Sequence, residues 1–221
     1  DVALEAAALG PGDVVLVSHE IPTSAVRAAL TTGRRRGATT VLNPAPADGL
    51  DRGVFGLADV VTPNRSELAI LARAEARRTG RPDPGGDGPE RQARLLLAAS
   101  SEGAGPRIAI VVTLGAAGAV LVPAGSGATL ELRAPEVNVV DTTGAGDAFA
   151  GALAHGLAAG VALEEAARRA VTAGSLATTK VGAREAMPTA AELDAAAAAF
   201  RSERPPASCG PRCGDRTAAR R

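Results

Sequence analysis

Short β-branched apolar runs alternate with helix-like stretches along this chain, and that alternation limits the fold more than any other feature. We predict strands in residues 13–18, 39–42, 60–62 and 108–113. Helical stretches occupy most of the intervals, as crossovers between parallel strands require. Two closer strands, 119–122 and 129–133, are joined by glycine-rich turns and indicate an antiparallel element. We therefore expect an α/β fold: a doubly wound, mostly parallel sheet with helices on both faces.

Helices in the second half of the chain are marked by local signals. Amphipathic patterns predict helices over about residues 145–159 and 163–179. A last helix is predicted to begin near Thr189, because Thr189-x-x-Glu192 has the spacing of a capping box.

The composition supports one α/β core followed by a different kind of segment. Of the 221 residues, 46% are apolar, which is enough for a buried core, although the chain has three Phe and neither Trp nor Tyr. We assign residues 1–200 to that core. Residues 201–221 hold six Arg against one Glu and one Asp, with no apolar period. We expect them to form a disordered basic tail.

Charge and composition argue against several classes of partner. The 24 basic and 24 acidic residues cancel, and aromatic side chains on which bases could stack are nearly missing. No apolar run reaches membrane-spanning length and no signal peptide is visible. We predict a cytoplasmic protein that binds neither nucleic acid nor membrane. Cys209 and Cys213 have no nearby His to complete a zinc site, and we interpret them as an incidental thiol pair.

The run from Asp141 to Asp147, Asp-Thr-Thr-Gly-Ala-Gly-Asp, carries the strongest chemical signal. It follows an extended apolar stretch, residues 137–140, and leads into a helix. Glycines there let the backbone approach a ligand, and the N–H groups of the helix start favour an anion. A carboxylate at Asp147 would repel that anion unless it takes a proton from an attacking hydroxyl, which indicates phosphoryl transfer. Taken alone, the run also fits an ordinary strand-to-helix turn with Asp147 complementing the helix dipole.

Further polar residues follow the other predicted strands. They are Glu20, Asn43, Asn64, Glu67 and the segment 113–115. Because ligands bind outside the carboxyl ends of the strands in doubly wound sheets, these residues predict one rim with a nucleotide and substrate cleft. Each has an ordinary reading by itself, such as Asn43 as a turn former and Glu67 as a first-turn helix acid.

Five motifs on this rim resemble those of the ribokinase (PfkB) carbohydrate-kinase family. They are Ser-His-Glu-Ile-Pro at 18–22, Asn-Pro-Ala-Pro-Ala at 43–47, Thr-Pro-Asn-x-x-Glu at 62–67, Val-Thr-Leu-Gly at 112–115 and the run at 141–147. They occur in the family's order, and the resemblance spans roughly Val14 to Pro188. It implies a ribokinase-like fold and an ATP-dependent sugar kinase.

The resemblance implies how the phosphate site would work. Asp147 would be the general base that deprotonates the sugar hydroxyl and so would also contact the substrate. The backbone amides of Gly144, Ala145 and Gly146 would form the anion hole for the transferring phosphoryl group and bind ATP.

The same resemblance implies contacts to ATP, Mg²⁺ and the sugar. Asn64 and Glu67 would organise Mg²⁺ and the ATP phosphates, with Glu67 acting through water. Thr113 and Gly115 would lie along the nucleotide phosphates. Glu20 would accept hydrogen bonds from ribose hydroxyls.

The family also uses a monovalent cation, usually K⁺, held largely by carbonyl oxygens. The matching positions are Asp141 (through its side chain), Thr143, Ala177, Lys180, Gly182 and Ala186. The family position at Ala186 is often Ser, so a main-chain ligand is retained here and a side-chain ligand is not.

Some features that the resemblance implies do not occur in the sequence. They are a Gly-Gly-x-x-x-Asn sugar motif, an aspartate that grips ribose, and the strands of a lid that commonly forms a homodimer. The sequence begins at Asp1 and not at Met. We interpret the chain as a fragment in which the family's N-terminal strands and lid are absent, and we do not expect the homodimer from it.

Three functions fit these observations. The first is phosphorylation of a sugar hydroxyl, with D-ribose to D-ribose 5-phosphate as the best candidate. The second is the same chemistry on fructose, adenosine or another nucleoside. The third is an inactive, truncated remnant that still binds nucleotide. The chain's small-molecule partners would then be ATP and a sugar, or ATP alone.

Overall fold

A computed structural model describes residues 9–98 and 106–202 of the chain. These residues form a six-stranded sheet whose strands lie side by side in chain order. The strands are β1 (Val14–Ser18), β2 (Thr39–Asn43), β3 (Val60–Val61), β4 (Ala109–Thr113), β5 (Ala119–Pro123) and β6 (Leu130–Leu132). Strands β1 to β4 are parallel, and β5 and β6 are added antiparallel. The mostly parallel sheet with an antiparallel element is therefore confirmed.

The helices fall close to their predicted positions. They are α1 (Thr23–Arg36), α2 (Arg52–Phe55), α3 (Arg65–Thr79), α4 (Pro89–Ala98), α5 (Ala145–Ala158), α6 (Leu163–Ala177) and α7 (Ala190–Ser202). Helix α2 was not predicted, because a single turn is too short to show a period. Among the helices of the described ranges, none is long and apolar enough to cross a membrane. The predicted tail beyond residue 202, with Cys209 and Cys213, lies outside the described residues.

The two faces of the sheet bury two separate apolar cores. Because successive strand residues point to opposite faces, neighbours in one strand belong to different cores. Leu42 and Val112 pack in one core, and Val41 and Val111 pack in the other. Helices α1 to α4 cover the sheet face on which Leu42 lies, and α5 and α6 cover the opposite face, on which Val41 lies. The prediction of helices on both faces is confirmed.

The second face is covered by helices that follow the sheet in sequence. Strands β1 to β4 are parallel and adjacent in chain order, so right-handed crossovers place α1 to α4 on one face. Across the described strands the order does not reverse. The opposite face is left to α5 and α6, which pack against each other and against that face.

The apolar stretch at residues 137–140 lies outside the sheet. Val139 and Val140 are 55% and 54% exposed. The N–H groups of Val140 and Asp141 donate to the carbonyl of Thr178 at 2.7 and 3.1 Å, and so bind the segment that follows α6. This stretch leads into α5 without pairing with any strand of the described residues, and its end is bound by the Thr178 carbonyl.

The start of α7 has the predicted capping box. The backbone N–H of Thr189 donates to Oε2 of Glu192 at 2.8 Å, and the N–H of Glu192 donates to Oγ1 of Thr189 at 3.3 Å. Nζ of Lys180 donates to Oε1 of the same glutamate at 3.0 Å. These contacts, led by the Thr189 N–H, lower the pKa of Glu192 to about 2.

Replacing Glu192 by Gln should remove a pH-dependent contribution to stability. The pKa of Glu192 is about 2 in the folded chain against 4.5 for an unconstrained glutamate. The contribution is therefore fully present above pH 4.5 and is lost as the pH falls through about 2. We expect the Tm of E192Q, measured by circular dichroism, to lie below the wild-type Tm at neutral pH. That gap should narrow steadily as the solution is acidified below pH 4.5.

The control for this experiment is Glu131→Gln. The Glu131 carboxylate makes no hydrogen bond or ion pair with the described residues, so this substitution removes no such contact and should leave the Tm at its wild-type value. A Tm difference between E192Q and the wild type that stays constant from neutral pH to about pH 2 would contradict the link between the Glu192 pKa and stability.

Candidate active site

The carboxyl ends of β1 to β4 form one rim, as predicted. Ser18 stands in register with Asn43, and the N–H of His19 donates to the Asn43 carbonyl at 3.1 Å. Asn64 and Thr113 form a parallel bridge just beyond β3 and β4. The residues that follow these four strands are therefore neighbours in space.

A cavity of about 950 Å³ opens at this rim. Its wall comes from the start of α3, the turn between β4 and β5, residues 134–139, the start of α5 and one side of α6. Five predicted ATP-binding residues line it: Asn64, Thr113, Gly115, Ala145 and Gly146. A volume of this size suits a nucleotide-sized ligand.

The first turn of α5 presents N–H groups that the fold leaves without acceptors. The N–H groups of Gly144, Gly146 and Asp147 donate to no acceptor within the described ranges. The N–H of Ala145 donates to the Thr142 carbonyl at 3.3 Å, a long hydrogen bond. Together with the helix dipole, these groups form a candidate anion site, because unpaired N–H groups at a helix start favour a negative charge.

Gly144 is required by close packing just before α5. Its φ is +76°, and a Cβ there would lie 3.1 Å from Cα of Ala183. A side chain would therefore be strained and would also push away the loop that contains Ala183. A Cβ at Gly146, in contrast, would meet no atom within 4 Å. The protein itself does not fill the space beside Gly146, so a ligand can approach the backbone there.

Asp147 lies in the first turn of α5 with an exposed side chain. Its carboxylate accepts no hydrogen bond from the part of the chain that the structure describes, and it is outside the cavity wall. An unpaired carboxylate on a residue whose own N–H belongs to the candidate anion site is free to accept a proton from a hydroxyl positioned beside it.

Asn64 and Glu67 hold each other at the start of α3. The Asn64 N–H and its Nδ2 donate to the two carboxylate oxygens of Glu67 at 2.8 and 2.7 Å. The Glu67 N–H donates back to Oδ1 of Asn64 at 2.9 Å. This capping box fixes both side chains at the rim, and it uses one lone pair of each Glu67 oxygen.

Asp141 joins the turn before α5 to the segment after α6. Its Oδ1 accepts the N–H and the hydroxyl of Thr143 at 2.9 and 2.7 Å, and its Oδ2 accepts the N–H of Gly182 at 3.0 Å. The pKa of Asp141 is lowered, first by the Gly182 N–H and then by Thr143. The carboxylate is therefore held in its charged form.

Several carbonyl oxygens in the turn before α5 and from the end of α6 onward accept no hydrogen bond from the described residues. Within the described ranges, no N–H or hydroxyl donates to the carbonyls of Thr143, Ala177, Lys180, Gly182 or Ala186. Ala177 and Ala186 are almost fully buried, and the ammonium of Lys180 is turned to Glu192. A fixed carboxylate with unpaired carbonyls is the kind of ligand set that a monovalent cation takes.

Glu20 is at the rim but not in the cavity wall. It follows β1, its side chain is exposed, and its carboxylate has no partner among the described residues. The N–H of Glu20 donates to Oγ of Ser18 at 3.3 Å, which fixes the turn that carries it. The carboxylate is available to accept hydrogen bonds from a polyol.

His19 was missed as a site residue by the sequence interpretation. Its Nδ1 contacts the Pro46 carbonyl at 2.7 Å and its Nε2 contacts Oγ1 of Thr23 at 3.1 Å. Because a carbonyl only accepts, Nδ1 carries the proton. His19 thus ties the turn of Glu20 to the loop at 43–47. Its membership of the motif at 18–22 is the one signal that could have pointed to it.

The chain is similar in sequence and in fold to known ribokinases. Ribokinase of Haemophilus influenzae is 30% identical over 186 residues, which cover 84% of this chain and 56% of that protein. The structure of Thermotoga maritima ribokinase matches with a TM-score of 0.70 and 28% identity, over 83% of this chain and 56% of that one. The structure of Arabidopsis thaliana ribokinase complexed with ribose and ATP matches with a TM-score of 0.66 and 27% identity, over 83% of this chain and 55% of that one.

The chain spans about half the length of the relatives it matches. The ribokinase-like fold predicted from the sequence is confirmed by these structures. The family model for pfkB family carbohydrate kinases matches residues 3–190, a range that includes all five motifs. The chain therefore belongs to the pfkB family of carbohydrate kinases.

Proposed function

We propose that the protein transfers the γ-phosphoryl group of ATP to a hydroxyl of a small sugar. D-ribose is the favoured substrate, with D-ribose 5-phosphate as the product, because ribokinases are prominent among its relatives. The observation that carries the proposal is the start of α5. There the N–H groups of Gly144, Gly146 and Asp147 lack acceptors among the described residues, beside the unpaired carboxylate of Asp147.

The cavity supports the nucleotide half of this reaction. Its wall joins Gly146 of the anion site to Asn64, Thr113 and Gly115 across the rim. Polyphosphate oxygens would accept hydrogen bonds from the N–H groups of α5. The mainly apolar remainder of the wall, including Phe149 and Val171, suits the base and ribose of the nucleotide.

The transfer step uses the Asp147 carboxylate and the N–H groups of Gly144 and Gly146 at the start of α5. The sugar hydroxyl oxygen attacks the γ-phosphorus, and its proton passes to the Asp147 carboxylate. The bond from that phosphorus to the bridging oxygen of the β-phosphate breaks, and ADP leaves with the electron pair. The N–H groups of Gly144 and Gly146 stabilise the charge on the phosphoryl oxygens while they are transferred.

Glu67 is suited to a magnesium ion that arrives with the nucleotide. Both its carboxylate oxygens accept hydrogen bonds from Asn64, so a water-mediated contact fits better than a direct one. The described residues contain no group of three or more His, Cys, Asp or Glu that could hold a metal by themselves. When bound, Mg²⁺ would neutralise charge on the β- and γ-phosphates.

Asp141 and the unpaired carbonyls of Thr143, Ala177, Lys180, Gly182 and Ala186 are suited to K⁺. A cation there would lie behind the turn that forms the anion site. When bound, it would add positive potential to that turn and hold its backbone in place.

A second candidate is a protein that binds ATP without turning it over. The cavity favours this alternative, because its wall contains five of the six predicted ATP-binding residues, all but Gly144, and contains neither Asp147 nor Glu20. Substrates other than ribose, namely fructose and adenosine, fit the same transfer step. Sugar-dependent release of ADP by the 221-residue chain separates turnover from binding alone, and the rates with the three acceptors rank the substrates.

Replacing Asp147 by Asn should lower turnover by about 10²–10⁴-fold, because the proton acceptor is lost. ATP affinity should be unchanged or slightly higher, since a negative charge beside the phosphates is removed. ADP release and ATP calorimetry measure the two effects, with Glu131→Gln as the control. Turnover equal to wild type would contradict the role of Asp147, and ATP binding without turnover in the wild type would favour the second candidate.

Replacing Glu20 by Ala should raise the KM for ribose by about tenfold or more and leave the KM for ATP unchanged, because the lost contacts are charge-assisted hydrogen bonds. Asp48→Ala is the matched control, since Asp48 is an exposed carboxylate with no assigned role. An equal rise in both KM values would show that Glu20 stabilises the fold and does not bind the sugar.

The two metal assignments can be tested against each other. Asp141→Asn should raise the K⁺ concentration needed for half-maximal activity and leave the Mg²⁺ requirement unchanged, because the negative charge that would face K⁺ is lost while an amide oxygen remains to accept from Thr143. Glu67→Gln should raise the Mg²⁺ concentration needed for half-maximal activity and leave the K⁺ requirement unchanged. Each variant is the control for the other, and titrations of activity with KCl and MgCl₂ measure both. Equal shifts in both titrations for either variant would contradict the assignment of that residue.

A further inference from the structure

The cavity wall is nearly uncharged. Among the described residues that line it, Arg65 is the one cation and Glu136 is the one anion. The two belong to different parts of the wall, the start of α3 and the segment 134–139. The α3 part of the wall also contains Asn64, which bridges to Thr113. The cation therefore belongs to the wall segment that we assign to the phosphates.

No contact within the described chain explains the position of Arg65. It is exposed, and its guanidinium makes no hydrogen bond or ion pair with any residue that the structure describes. Two other arginines of α3 are paired, Arg73 with Asp83 and Arg78 with Glu75. Arg77, like Arg65, has no partner among the described residues, but of these two only Arg65 lines the cavity.

Helix stability does not explain this residue either. Arg65 is the first residue of α3, where the helix dipole is positive and a cation is unfavourable. The acid in the same turn, Glu67, has both carboxylate oxygens hydrogen-bonded to Asn64. Arg65 thus costs the isolated helix some stability, and a bound anion would offset that cost.

We propose that the Arg65 guanidinium binds the polyphosphate of the nucleotide. The proposal rests on the proposed function, and it adds a full positive charge to an anion site otherwise made of neutral N–H groups. A planar guanidinium can donate two parallel hydrogen bonds to phosphate oxygens, and it cannot lose its proton at working pH. Arg65 would bind ATP in the ground state and stabilise the charge that ADP gains as the γ-phosphoryl group departs.

Calorimetric titration of the 221-residue chain with ATP, ADP and AMP tests this contact. For Arg65→Ala we expect about tenfold weaker binding of ATP, a smaller loss for ADP and no change for AMP. The loss should shrink as salt is added, because an exposed charge is screened. Arg65→Lys should recover part of the affinity, since it keeps the charge and loses the planar fork.

Arg77→Ala is the matched control, because Arg77 is an exposed arginine of the same helix outside the cavity wall. It should bind all three nucleotides as the wild type does. Arg65→Ala should melt no lower than the wild type, since the cation is unfavourable at the helix start.

The outcomes separate this proposal from the proposed function. Equal affinity of Arg65→Ala and the wild type for ATP would overturn the role of Arg65 alone. Equal weakening for ATP and AMP would also overturn it, because the effect would not depend on the polyphosphate. A rise in the KM for sugar with unchanged ATP binding would assign Arg65 to the acceptor instead. Failure of the wild type to bind ATP would overturn both proposals.

Discussion

The site depends on the hydrogen bonds of one carboxylate, Asp141. Its Oδ1 fixes the turn through Thr143, and its Oδ2 holds the N–H of Gly182 in the segment after α6. Gly144 then packs against Ala183 of that same segment. The start of α5 is therefore set by contacts behind it, and the N–H groups of its first turn are left for a ligand. Asp141 therefore fixes the turn from which α5 begins, while core packing of α5 against α6 fixes the rest of the helix.

Under the proposed assignments, two oppositely charged ligands would lie on the two sides of this turn. Unpaired carbonyls behind the turn suit a cation, and unpaired N–H groups in front suit an anion, so each ligand would favour the backbone conformation that binds the other. Lys180 supplies a carbonyl behind the turn, while its ammonium pairs with Glu192 at the start of α7. Helix α7 is thereby connected to the segment that holds the turn.

Much of the fold and of the rim could be predicted, because those signals are local or periodic. The strands, the capping box of Thr189 and Glu192 and the glycines before α5 belong to that class. Contacts between distant segments could not be predicted. The exposed stretch at 137–140 is apolar like a strand, yet it binds the Thr178 carbonyl. The pairing of His19 and the isolation of Arg65 likewise depend on tertiary neighbours.

The most direct test of the account is whether ATP binds the N–H groups at the start of α5. Amide resonances of Gly144, Gly146 and Asp147 can be followed by two-dimensional ¹H–¹⁵N NMR while the labelled chain is titrated with ATP and Mg²⁺, and in parallel with adenosine. We predict that ATP shifts these amides strongly and that adenosine does not, because only ATP brings phosphate oxygens to them. Saturating ATP that shifts other residues and leaves these three amides unchanged would contradict the account.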